Sequence, residues 1–183
     1  MPKFLRTEIK EVILVKTDVH NDDRGYFLER FKKTDFKDSG VSDEYVQLNH
    51  SFSKRGVIRG LHFQKSPKEQ GKLVMVVSGR ILDVAVDIRP TSSTFKRWVS
   101  VELSSDNGVS IWVPPGFAHG FLALENSNVI YLTTKEYSPS LDCGVRWDDP
   151  DLKVNWQIES PIISLKDRKL KSLKELIDIG EVE

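Results

Sequence analysis

The sequence predicts a mainly β chain, an antiparallel sandwich or barrel of short strands, and three observations carry the prediction. Runs rich in Val, Ile, Leu and aromatic residues recur about every ten residues, separated by Gly, Asn, Asp and Ser. No helical period comes between them, which excludes the alternating pattern of a βαβ fold. Apolar residues reach helical spacing only near the end, at Leu170, Leu173, Leu176 and Ile177 within residues 167–179.

Taken in order, residues 11–16 (EVILVK) form the first β-rich run. The polar cluster Asn21-Asp22-Asp23-Arg24-Gly25 then makes a turn before a strand over residues 26–31, which predicts a hairpin with His20 in its turn. Residues 33–40 read as a short surface helix closed by Gly40. Residues 45–51 (YVQLNHS) alternate polar and apolar as a half-buried strand does, so Gln47 and Asn49 share a face and His50 falls at the strand's end. Residues 73–77 and 81–88 are joined by Ser78-Gly79, the clearest hairpin signal in the chain. In the second of these runs Asp83, Ala85 and Asp87 project one way and Leu82, Val84 and Val86 the other, because strand side chains alternate. Further strands are expected over residues 97–103, 109–113, 119–124 and 129–134, and a terminal surface helix over 167–179. With no internal repeat, low-complexity tract or linker composition, residues 1–183 read as one domain. Its β core spans about 11–160 and its helical tail about 167–183.

Charge narrows the partners. Twenty-seven basic residues balance twenty-seven acidic ones, so no overall field attracts nucleic acid or a membrane surface, and an anion must be met by a local cluster. A small molecule is the expected partner. The single cysteine, Cys143, has no intramolecular partner, and Met1-Pro2-Lys3 leads into no apolar signal region. No apolar run approaches the roughly 20 residues that span a bilayer. A cytoplasmic location is expected.

The chemistry concentrates in residues 56–73, where Arg59, His62, Gln64 and Lys72 interrupt what otherwise reads as buried strand. Alternation places Arg59 and Phe63 on one face and Gly60, His62 and Gln64 on the other. His20 and His50 are expected to be non-catalytic. His119 closes Pro114-Pro115-Gly116-Phe117-Ala118-His119, whose P-x-G-x-x-H spacing resembles the second motif of cupins, the small jelly-roll barrels. A cupin metal needs several converging ligands, and the first-motif stretch offers His62 alone. A cupin-like jelly roll without a metal is therefore expected. The remaining inventory is an imidazole (His62), cations (Arg59, Lys72, Arg24), a phenol (Tyr131) and carboxylates (Asp83, Asp167). Such a set suits proton abstraction next to a ketone, with return of the proton from the opposite face.

Several stretches together resemble the dTDP-4-dehydrorhamnose 3,5-epimerase family: Asp23-Arg24-Gly25-Tyr26-Phe27-Leu28-Glu29, Gln47-Leu48-Asn49-His50-Ser51, Arg59-Gly60-Leu61-His62-Phe63-Gln64, Gln70-Gly71-Lys72-Leu73, Asp83-Val84-Ala85-Val86-Asp87, the run from Trp112 through His119 to Phe121, and Trp147-Asp148-Asp149-Pro150. The likeness runs in order over about residues 11–167. It implies a homodimeric jelly-roll enzyme, without cofactor or metal, that inverts C5 and C3 of dTDP-4-dehydro-6-deoxy-D-glucose. The alternatives are a single-site epimerase of a related dTDP-4-keto sugar and a non-catalytic nucleotide-sugar binding module. By the resemblance, His62 is the base, Asp167 the acid that orients it, Tyr131 the proton donor and Lys72 the cation beside the C4 oxygen. Asp167 also suits a helix N-cap, and Asp83 is expected to pair with Lys72. Arg59 and Arg24 would meet the diphosphate, Glu29, Gln47 and Asn49 the nucleotide, and His119, Asp142 and Lys166 the sugar or phosphate. Tyr137 would stack on the thymine. Arg24 and Glu29 would come from the neighbouring subunit. The loop Glu125-Asn126-Ser127 before Tyr131 is one residue shorter than the family pattern.

Overall fold

Short apolar runs broken by turn residues satisfy their backbone groups by pairing with one another, and here every ladder within the sheets is antiparallel. The computed structural model describes residues 1–182, so Glu183, the last residue of the expected tail, lies outside the described residues. The elements in order are β1 (Lys3–Arg6), β2 (Ile13–Lys16), β3 (His20–Asp22), β4 (Gly25–Phe27), α1 (Lys33–Phe36), β5 (Gln47–Ser53), β6 (Ile58–Gln64), β7 (Lys72–Ser78), β8 (Arg80–Asp87), β9 (Trp98–Ser104), β10 (Val109–Val113), β11 (Phe117–Ala123), β12 (Ser127–Thr133), β13 (Asp142–Gly144), a 3₁₀ turn (Asp167–Lys169) and α2 (Leu173–Asp178). They build a jelly-roll sandwich. One sheet has the order β1-β2-β10-β7-β12-β5 and the other β13-β6-β11-β8-β9, while β3 and β4 form a separate hairpin.

Alternation sorts the side chains into three apolar clusters. Between the sheets lie Val74 and Val76 of β7, Ile111 and Val113 of β10, Ile81 and Ala85 of β8, and Phe117 and Phe121 of β11. The outer face of the first sheet, with Ile13, Leu73, Met75 and Trp112, is covered by Phe36 and Val41 from the segment around α1. The outer face of the second, with Leu61, Phe63, Leu82, Val84 and Val86, is covered by Leu152, Trp156, Leu173 and Leu176 of the C-terminal segment. Both sheets are therefore buried on two faces where they matter, and each large side chain so removed from water contributes about 1.5–3 kcal/mol.

The structure corrects several expectations. The Ser78-Gly79 turn does not make a hairpin: β7 and β8 belong to opposite sheets. A small Gly turn serves equally for a corner between layers, and here Gly79 has φ +80 with its Cα side packed against Asn126 and Ser127. The terminal helix is shorter than expected: Asp167 opens a separate 3₁₀ turn and α2 starts at Leu173. Its cap is Ser172, which exchanges bonds with Glu175 in a capping box worth about 1 kcal/mol, not Asp167. α1 ends at Phe36, before Gly40, and Phe36 is fully buried. His20 lies in β3 rather than in the turn, β4 ends at Phe27, and β1 had no distinct signal. His50 lies within β5.

Candidate active site

The inner face of the sandwich collects the polar residues that alternation sends inward. Tyr131 on β12 lies opposite Asn49 of β5 and Val74 of β7, and Thr133 lies opposite Gln47 and Lys72. On the facing sheet His62 of β6 is the direct cross-strand partner of His119 of β11. Thus Gln47, Asn49, Lys72 and Tyr131 on one sheet look toward His62, Gln64, His119 and Asp83 on the other. Tyr131 keeps this inward register, packed against the cluster between the sheets.

Arg59 is here for a reason that simple alternation misses. Between the pairs His119 with His62 and Phe121 with Arg59, β11 advances two residues and β6 three. The extra residue is a bulge at Gly60, where φ is +135. It reverses the parity of β6, so Ile58, Leu61 and Phe63 share the outer cluster and Arg59 turns to the side of His62. This overturns the expected grouping of Arg59 with Phe63. The guanidinium donates to Ser53 Oγ at 2.8 Å and to the Phe52 carbonyl at 3.0 Å.

The His62 ring lies 2.7 Å from Asp167 Oδ1, through Nε2, and the Gly60 N–H meets the other carboxylate oxygen at 3.4 Å. The imidazole remains about a third exposed while the carboxylate is buried. Burial alone would raise the Asp167 pKa. The His62 hydrogen bond and charge, the Gly60 N–H and nearby Lys166 outweigh it and hold the carboxyl below its ordinary range. The pair is a carboxylate-oriented base, in which the anion fixes the tautomer and stabilises the imidazolium.

Lys72 is buried, and its Nζ donates to the His62 carbonyl at 3.3 Å. Burial pushes its pKa down to about 8, against the attraction of Asp142 and Asp83. Asp83 does not pair with Lys72 as expected. It is fully buried and engages His119 Nε2 at 2.9 and 3.0 Å, because both project inward from adjacent strands. Tyr131 has its pKa raised by burial, with Arg59 drawing it down and Asp142 adding to the rise, so the phenol stays protonated at neutral pH.

At the rim, Asp142 on β13 accepts the Tyr137 hydroxyl at 3.0 Å and pairs with Lys166. Gln47 links Asn49 and the Tyr137 backbone N–H, both at 2.8 Å. Arg24 and Glu29 stand apart: Arg24 is exposed in the β3–β4 hairpin and paired with Asp22, and Glu29 is exposed beyond β4. Gln64 and Ser53 received no role from the sequence, although a buried Gln inside an apolar strand is itself a signal. Among the described residues, no group of three or more His, Cys, Asp or Glu side chains is placed to hold a metal ion.

Comparison with known proteins supplies the context for this arrangement. The profile of the dTDP-4-dehydrorhamnose 3,5-epimerase family matches residues 6–175. The chain is 46% identical over 177 residues to dTDP-4-dehydrorhamnose 3,5-epimerase of Methanothermobacter thermautotrophicus, covering 94% of this chain and 95% of that one. It is 46% identical over 176 residues to the Escherichia coli protein of the same name, with the same coverage. Its fold is similar to the crystal structure of dTDP-6-deoxy-D-glucose-3,5-epimerase from Legionella pneumophila in complex with dTDP-4-keto-L-rhamnose, with a TM-score of 0.93, 39% identity, and coverage of 100% and 97% of the two chains. A profile match across nearly the whole length, joined to this identity and this fold, places the chain in the dTDP-4-dehydrorhamnose 3,5-epimerase family.

Proposed function

We propose that this protein is an isomerase that converts dTDP-4-dehydro-6-deoxy-D-glucose to dTDP-4-dehydro-L-rhamnose by inverting C3 and C5. The observation that carries the reading is the His62–Asp167 hydrogen bond at 2.7 Å, set in an inner face that also holds Tyr131 and Lys72. The protons on C3 and C5 are acidified by the C4 ketone. His62 removes one, the Lys72 ammonium stabilises charge on the C4 oxygen, and Tyr131 returns a proton from the other face. A desolvated lysine supports an enolate more strongly than one in water, because less solvent screens it. The reaction is redox-neutral, so these residues suffice for it.

Arg59 and Arg24 bind the diphosphate through their guanidinium forks. Glu29, Gln47 and Asn49 contact the nucleotide, His119, Asp142 and Lys166 the sugar or phosphate, and Tyr137 stacks on the thymine. The working unit is a homodimer in which Arg24 and Glu29 reach the neighbouring site. Two apolar surfaces support this: Tyr26 and Phe27 on the hairpin are 52% and 69% exposed, and Leu48 and Phe52 on the edge strand β5, with Val46 just before it, are exposed as well. No helix is long and apolar enough to cross a membrane among the described residues, and we place the enzyme in the cytoplasm.

The test is incubation with dTDP-4-dehydro-6-deoxy-D-glucose in deuterated buffer with a chelator, following the C3 and C5 protons by NMR. Loss of both signals is expected. Loss of one alone marks a single-site epimerase, and loss of neither with binding intact marks a binding module.

A further inference from the structure

Gln64 stands two residues after His62, at the end of β6, and is only 5% exposed. A side-chain amide has one acceptor and two N–H donors, and all of them are engaged. Oε1 accepts the Ser138 N–H at 2.8 Å, while Nε2 donates to the Glu136 carbonyl at 3.1 Å and to the Lys68 carbonyl. None of these partners belongs to a strand. Glu136 and Ser138 lie in the loop 134–141, on either side of Tyr137, and Lys68 lies in the loop 65–71 that leads to Lys72.

Between the two Gln64 contacts, the Tyr137 N–H is held by Gln47 Oε1 at 2.8 Å. Three consecutive backbone positions are therefore fixed by two side-chain amides. Residues 135–137 are exposed, so no apolar anchor does this work. From this geometry we infer that Gln64 is a positioning residue for nucleotide binding, tying the loop that presents Tyr137 to the strand that carries His62. The inference rests on the nucleotide-sugar reading above. Its effect belongs to ground-state binding, because the loop grips the nucleotide, remote from the carbons that exchange protons.

Two variants test it. Gln64→Ala removes all three bonds. Gln64→Glu keeps the size and the acceptor for Ser138 but sets a carboxylate oxygen against two carbonyls, so it serves where the alanine variant folds poorly. Affinity for dTDP itself, measured by calorimetry, is expected to fall about 10-fold in both. KM is expected to rise with it, while kcat from the NMR assay stays within about twofold of the parent. Unchanged dTDP affinity would overturn the inference. So would a loss of kcat at unchanged affinity, since it would place Gln64 in the proton transfer. Failure of the proposed reaction is separately visible: a parent that binds dTDP and exchanges neither proton leaves the affinity comparison decisive. A parent that does not bind dTDP overturns both readings.

Discussion

Tyr131 and His62 face each other from different sheets, so removing one leaves the other in place. With the proposed chemistry, Tyr131→Phe deletes the proton donor but leaves the base and its carboxylate. Deuterium should still enter at the carbon facing His62, while formation of inverted product falls by about 10²-fold or more. NMR of substrate and product in the same sample reads both, and equal loss of exchange and product would assign Tyr131 a different part. Lys72 makes a second test at this scale. Its pKa of about 8 means that the cation is present below that pH and lost above it. The rate should therefore decline as pH rises through about 8. Lys72→Arg, whose guanidinium keeps its charge, should be slower overall but lack that decline. An identical alkaline limb in the variant would show that another group titrates there.

At the scale of elements, the site depends on how closely β6 and β11 approach. A Cβ added to Gly120 would lie 2.6 Å from the Arg59 carbonyl and 3.0 Å from the Gly60 Cα. Gly120→Ala should push the bulge outward and destabilise the fold by about 1–3 kcal/mol, read as an earlier midpoint in urea unfolding. An unchanged midpoint would mean that the strands have room to part. The same strands show what the sequence discloses and what it hides. The alternation of β5 and β8 was legible, and so was the shared face of Gln47 and Asn49. The bulge at Gly60 was not, because an extra residue reverses parity without changing composition. Ser78-Gly79 misled for a similar reason: one turn chemistry serves a hairpin and a corner between sheets alike. Long-range pairs were legible only through resemblance, since nothing local joins His62 to Asp167, and Asp83 could be matched to His119 instead of Lys72 only once the strands were laid side by side.

At the scale of the whole molecule, the exposed hairpin that carries Arg24 gives the dimer proposal a direct test. If Arg24 serves the neighbouring site, Arg24→Ala and His62→Ala homodimers should each be impaired. Mixed and allowed to exchange subunits, they should form heterodimers with one intact site and one doubly damaged site. Random exchange should then restore about a quarter of the parent activity, a value set by two-fold symmetry alone. Mixing without recovery would place Arg24 in its own subunit's site or outside any site.

The His62–Asp167 contact joins residues 105 positions apart. A ribosome delivers Asp167 long after His62, together with the Leu173 and Leu176 that close the outer face of the second sheet. A nascent or prematurely terminated chain therefore has its imidazole without the carboxylate that orients it. Proton-transfer competence arrives with the stretch that carries Asp167, at the same stage as the closing of that outer cluster.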